Sequence, residues 1–426
     1  RGMIKYKILL VLSLIFFNSS LLEAKSTVIK NASNIVGIEY SSYIGHILIE
    51  DGYIKKISKS SMIQGDKVID VKGKIVTPGL IAPDTEIGIV EIGALNVTRD
   101  DESNIYDIGF SIHSAFNPNS TLIPWNRSNG ITSAITLPRN TSSPIGGLGS
   151  FFILDSKMNI NSNADMVLIG RLGGSGSSSR AEMLSLMDDI LSFGSSLSKK
   201  DIGSDLTIDE IIESSSIASY LDLKTRDIKT LFRLFDENLP LIIKSHRASD
   251  IINLINLKKK YDLNLIIMGA QEASLVVDEI AKNDIPLIIN PINNIPNSFD
   301  ELASNINLAQ RLEKEGITMM FNVSRDHNYH LIRQGAGVAV ANGLSYGSAI
   351  KALTSNAAKV FNIDKRGSIK VGNHGDIVIW EADPLEPSSL PEKVFIDGIE
   401  TDLTTRSTRL RDRYTKDLEK PNTYRN

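Results

Sequence analysis

Between residues 80 and 363 short apolar runs alternate with helical stretches, and no other feature restricts the fold as much. Runs at 131–137, 166–170, 239–244, 263–268, 285–290 and 317–322 have the length and composition of strands, and amphipathic helices are expected at 248–261 and 272–282. Strands buried on both faces read as continuous apolar runs, and a strand–helix–strand repeat implies parallel pairing. This many units in one segment favours closure into a (β/α)8 barrel over an open sheet.

The flanks have a different grammar. Residues 45–57 read GHILIEDGYIKKI, with apolar alternation on both sides of Asp51-Gly52, a strong hairpin signal. A strand at 68–76 leads into Pro78-Gly79, and two more at 376–380 and 393–396 follow the middle. Both ends therefore contribute to one small β-sandwich, residues 26–80 and 364–400, around a barrel at 81–363. The tail, 401–426, carries Arg406, Arg409, Arg411 and Arg413 and has no core periodicity, as a solvated helix or arm would.

Composition narrows the function. The 42% hydrophobic and 23% charged content is that of a globular protein. A net charge of -4 exerts no general pull toward nucleic acid or anionic membrane, so neither is an expected partner. The absence of cysteine excludes thiol nucleophiles, disulfides and sulfur-rich zinc sites. Residues 1–24 have the pattern of a secretory leader: Lys5 and Lys7, an apolar run at 8–17, then Leu22-Glu23-Ala24. The run is shorter than the ~20 residues of a spanning helix. A periplasmic or secreted protein with no membrane span after cleavage is expected.

The segments GKIVTPGLI (73–81), NGITSAITLP (129–138), PIGGLGS (144–150), PLIIKSHRASDI (240–251) and GSIKVGNHGDIVIWEADPLE (367–386) occur in an informative order. Together with the helical stretch at 339–364, this chain resembles the amidohydrolase superfamily, most closely its exported, imidazolonepropionase-like branch. On that resemblance 129–138 is the third barrel strand and 144–150 a Gly-rich loop. The resemblance also implies hydrolysis of non-peptide C–N bonds in cyclic or small amides. It implies a divalent metal held by two histidines on strand one, a modified lysine on strand four, histidines on strands five and six and an aspartate on strand eight. The metal lowers the pKa of bound water, and the aspartate moves the proton.

The chain departs from that pattern. TPGLIAPDTEIG (77–88) places Asp84 and Glu86 where the histidine pair falls. Two residues apart on a strand, they share a face. They either bind a hard cation or hydrogen-bond donors such as Arg99, and the second reading is preferred. The strand-four run ends at Arg171 with no lysine nearby. His246 stands at the strand-five position, as a metal or substrate ligand or as a histidine bonded at a strand end, and Ser249 and Asp250 suit the first turn of the next helix. Gly269 occupies the strand-six histidine's place. Asp326 and His327, in VSRDHNYH (323–330), match the strand-eight segment, with Asp326 as proton shuttle or as part of a polar loop.

Six histidines, at 46, 113, 246, 327, 330 and 374, with no His-x-His, cannot rebuild the usual site. Nor does a Gly-x-Ser-x-Gly elbow occur. Three readings follow. In the preferred one the chain is a pseudoenzyme that needs no cofactor and binds a small molecule or a partner at the barrel mouth. In the second it is an active hydrolase with a divalent metal held by Asp84, Glu86, His246 and Asp326. In the third it is a structural subunit, in a homodimer or paired with an active homologue.

Overall fold

The computed structural model describes residues 26–35, 43–139, 143–173, 179–293, 295–323 and 328–416. The leader expected at 1–24, the end of the tail, and Asp326 with His327 lie outside the described residues.

The chain opens with β1 (Ser26–Ile35), β2 (Tyr43–Glu50), β3 (Tyr53–Ser58), β4 (Lys67–Asp70) and β5 (Ile75–Pro78). Asp51 and Gly52 turn β2 into β3 with φ of 50° and 81°, and Glu50 pairs with Tyr53 across a two-residue loop. Positive φ at both central residues matches the right-handed twist of the strands, which is why Asp-Gly is favoured there.

The barrel strands follow: β6 (Leu80–Thr85), β7 (Ile131–Thr136), β8 (Ile145–Ile153), β9 (Ser162–Arg171), β10 (Leu241–Ser245), β11 (Leu265–Gly269), β12 (Leu287–Ile289) and β13 (Met319–Phe321). They form one eight-stranded sheet in chain order, and β13 comes back beside β6 to bring the barrel nearly to closure. Burial on both faces accounts for their composition: every residue of β6, β7, β8, β11, β12 and β13 is buried.

Two expectations are corrected. The run at 131–137 lies second in the barrel, paired in parallel with β6. The Gly-rich segment that follows is a strand and not a loop: β8 runs antiparallel to both β7 and β9. Its glycines serve close packing. A Cβ on Gly149 would meet Leu137 Cδ2 at 2.4 Å and Val167 Cγ1 at 2.9 Å.

After the barrel come β14 (Ile377–Trp380), β15 (Pro391–Ile396) and β16 (Ile399–Glu400). They join β5 and β1–β3 in a second sheet of order β16-β15-β14-β5-β1-β2-β3, and β4 also pairs with β1. The two ends of the chain thus share one continuous sheet, because β1 pairs with β4 through its first half and with β5 through its last residues. Ile29, Ile47, Ile54, Val76, Ile377 and Phe395 form a second core within it. The helix Arg406–Thr415 buries no residue.

Candidate active site at the barrel mouth

Strand alternation decides which side chains face the barrel axis. On β10, Ile242, Lys244 and His246 share one face, and Lys244 and His246 line a cavity of about 350 Å³ at the C-terminal ends of the strands. Asp84 of β6 reaches it across the closing seam, and Met268 and Gly269 reach it from β11. Gln271, Asn290 and Asn322 follow just past the ends of β11, β12 and β13. In barrels of this kind chemistry is built at that end. A cavity of about 390 Å³ at the other end, lined by Pro286, Ile317 and Thr318, lies at the N-terminal ends of the strands.

The strand-one carboxylates diverge in their partners. Asp84 Oδ2 accepts from Asn322 Nδ2 at 3.0 Å, a bond that crosses from β13 to β6. Glu86 Oε1 lies 3.3 Å from Arg99 Nη2, whose guanidinium also bonds Asp101 Oδ2 at 2.6 Å. Burial lowers the pKa of Arg99, but Asp101, Glu86 and Glu102 together hold it above its ordinary value. Glu86 is therefore tied to the Arg99 cluster, the arrangement preferred from the sequence.

His246 stacks over Gly269. A Cβ at position 269 would sit 2.6 Å from His246 Cε1 and 2.9 Å from Nε2. Gly269 has φ +94° and Ala270 +48°, so the chain turns sharply at the strand end, with Ala270 N donating to Ser245 O at 2.7 Å. The imidazole thus fills the space that a side chain on strand six would need. Burial pushes the His246 pKa down, Lys244 adds to that, and Glu301 and Asp300 oppose it. The ring is neutral near pH 7, and its Nδ1 lies 3.6 Å from Glu301 Oε1. Asp250, in the first turn of the helix Ala248–Tyr261, does not cap it: it accepts from Arg180 Nε at 2.8 Å, which ties this helix start to that of the helix Arg180–Ser196.

Five polar residues of the mouth were not singled out from the sequence: Lys244, Gln271, Asn293, Asn290 and Asn322. A lone cation inside the apolar run LIIKS is a signal for the first, and an asparagine one step past each of two neighbouring strands is a signal for the last two. Of the other described histidines, His113 bonds Ser162 Oγ at 2.8 Å, His46 Nδ1 accepts from Asn31 N at 3.2 Å, His330 Nδ1 accepts from Trp125 Nε1 at 3.2 Å and His374 pairs with Asp397.

Among the described residues no three of His, Asp and Glu come close enough together to hold a metal ion. Among the described residues, the donor set at the mouth does not fit the metal of the resemblance. Glu86 is spent on Arg99, Gly269 offers no side chain, and Lys244 brings an ammonium into the cavity.

The sequence model of the amidohydrolase family matches residues 244–405, from Lys244 on β10 to just past the end of the second sheet. The amidohydrolase tasK of Hapsidospora irregularis is 23% identical over 411 residues, covering 85% of this chain and 40% of that protein. The 5-methylthioadenosine/S-adenosylhomocysteine deaminase of Pyrococcus furiosus is 38% identical over 68 residues, 16% of each chain. The chain spans less than half the length of either curated relative. Among solved structures, an amidohydrolase from Thermotoga maritima superimposes with a TM-score of 0.74 at 21% identity, over 88% of this chain and 99% of that one, a likeness of fold. From Lys244 onward the chain is similar in sequence to the amidohydrolase family, and its barrel and composite sheet have the fold of the Thermotoga amidohydrolase.

Proposed function

We propose that this protein keeps the amidohydrolase barrel and uses its mouth to bind a small polar molecule without the metal-dependent hydrolysis of C–N bonds. One observation carries the reading: an open cavity persists at the strand ends, yet an ammonium stands in it and the strand-six position is a glycine covered by the His246 ring. A fixed cation disfavours a second one nearby, and loss of first-shell ligands costs more than the ~10–100-fold seen for outer partners.

The relatives are named as an amidohydrolase and a deaminase, so C–N hydrolysis is the activity to test. Elemental analysis of the purified protein should find clearly less than one metal per chain, and cyclic amides and small peptide-like amides should turn over no faster than background. A stoichiometric metal that disappears in the Asp84→Ala/Glu86→Ala double variant would overturn the reading.

Asp84 and His246 line the same cavity, and this supports the alternative of an active hydrolase whose metal is held with Glu86 and Asp326. The leader-like N-terminus supports action in the periplasm or outside the cell, and cell fractionation tests it. A homodimer, or pairing with an active homologue, is proposed as the assembly, with sedimentation as its test.

A further inference from the structure

Several side chains of the mouth have unmet polar groups, and those of Lys244 and Gln271 are the most telling. Lys244 is exposed in the middle of a barrel strand otherwise made of buried residues, and its side chain makes no ion pair or hydrogen bond among the described residues. Long charged side chains normally reach solvent along an outer surface, whereas this one is aimed into the mouth. Arg171, its in-register neighbour on β9, is a second cation at the same level with no carboxylate partner among the described residues. Gln271 is 1% exposed, and neither its Oε1 nor its Nε2 has a hydrogen-bond partner. Which way round the amide sits does not matter, because both ends are unmet. A buried amide left so is costly, and such a group asks for a ligand or ordered water.

We propose that the barrel mouth is a seat for a small organic carboxylate that also carries an amide. The Lys244 ammonium takes the carboxylate, and the Gln271 carboxamide pairs with the ligand's amide, donating to its carbonyl and accepting from its N–H. The proposal rests on the mouth being a ligand site, as argued above, and adds the ligand's chemistry. The positive charge that a metal would supply is here supplied by a side chain. Asp84 and Glu301 also border the region, Asp84 held by Asn322 and Glu301 against His246, so the anionic end belongs on the Lys244 side. Arg171 lies outside the cavity lining, and Asp84 offsets part of the Lys244 charge within it, which favours a monoanion over a dianion such as phosphate. The volume of about 350 Å³ is near the lower end of the ~300–1,000 Å³ range of small-molecule sites.

Calorimetric titration of the full chain after dialysis against a chelator tests this with three probes: N-acetylglycine, its uncharged counterpart N-acetylglycinamide, and inorganic phosphate. N-acetylglycine should bind, and the other two should bind at least about 10-fold more weakly. Lys244→Met should weaken N-acetylglycine by about 10-fold or more and leave N-acetylglycinamide unchanged, whereas Lys244→Arg should retain most of the affinity. Lys244 is exposed, so its variants fold, and Gln271→Leu should weaken both organic probes.

The proposal is overturned if Lys244→Met binds N-acetylglycine as well as the parent, if phosphate is the tighter anion, or if no probe binds. Equal binding of the charged and uncharged probes removes the carboxylate seat but leaves a ligand-binding mouth. Binding that disappears on chelation and returns with added metal sinks the metal-free reading itself.

Discussion

Gly269 and His246 act as one unit. The left-handed turn at 269 exists because no Cβ is present, and the imidazole lies in the space this leaves. Gly269→Ala should therefore destabilise the protein by about 2 kcal/mol, through strain at φ +94° and collision with the ring. Denaturant unfolding measures this, and an unchanged midpoint would show that the ring does not cover position 269. Restoring a histidine at 269 would not restore a family-type site, because it would expel the one already at 246. Lys244 carries the same lesson at a second position: from β10 it brings a cation into the lining that Asp84 shares.

At the scale of elements, β8 departs most from the alternating pattern. It is inserted antiparallel between β7 and β9, and its glycines let β8 pack against Leu137, Pro138 and Val167. Gly149→Val should overpack that contact and cost about 3 kcal/mol, read as a lowered urea midpoint with little change in slope. The helix Ala248–Tyr261 has the bounds expected from periodicity. The helix expected at 272–282 is instead broken into a short 3-10 turn, Ala273–Leu275, and the helix Val277–Lys282. Two β-branched residues, Val276 and Val277, sit at the break, where helix propensity is weak. Glu272, just before it, accepts from Ala248 N at 3.0 Å and Ala303 N at 3.2 Å, which pulls the segment start toward the first residue of the helix Ala248–Tyr261 and toward the loop at 303.

Over the whole molecule, the two chain ends are tied by charge as well as by strand pairing. Arg366 bonds Asp376 and, at 2.6 Å, Asp397, and His374 Nδ1 lies 2.7 Å from Asp397. The Asp397 carbonyl packs against Gly52 of the first hairpin. Burial alone would raise the Asp397 pKa, but His374 and Arg366 bring it down to about 2. Asp376 is fully enclosed and burial pushes it the other way. A carboxylate whose folded pKa is depressed stabilises the fold above its unfolded pKa, and that stability is lost as pH falls through the folded value. The stability difference between the parent and Asp397→Asn should be about 2 kcal/mol above roughly pH 4 and should close as pH falls toward about 2. Thermal unfolding across that range measures it. A difference that stays constant with pH would mean that Asp397 is not the titrating group.

The strand–helix alternation, the Asp-Gly hairpin and the split sheet are local patterns, because backbone period and turn chemistry act between residues close in sequence. These determined the barrel and its composite sheet from the chain alone. Asp84, Glu86 and His246 could be named as candidates the same way, since each sits at a strand end. Their partners could not be named. Arg99 takes Glu86, Asn322 crosses a closed seam to Asp84, and the Gly269 vacancy is filled by a ring 23 residues earlier in the chain. The inward face of Lys244 and the enclosure of Gln271 also depend on which strands become neighbours. Charge and hydrogen bonding at a barrel mouth are sums over many strand ends, and only tertiary closure brings those ends together.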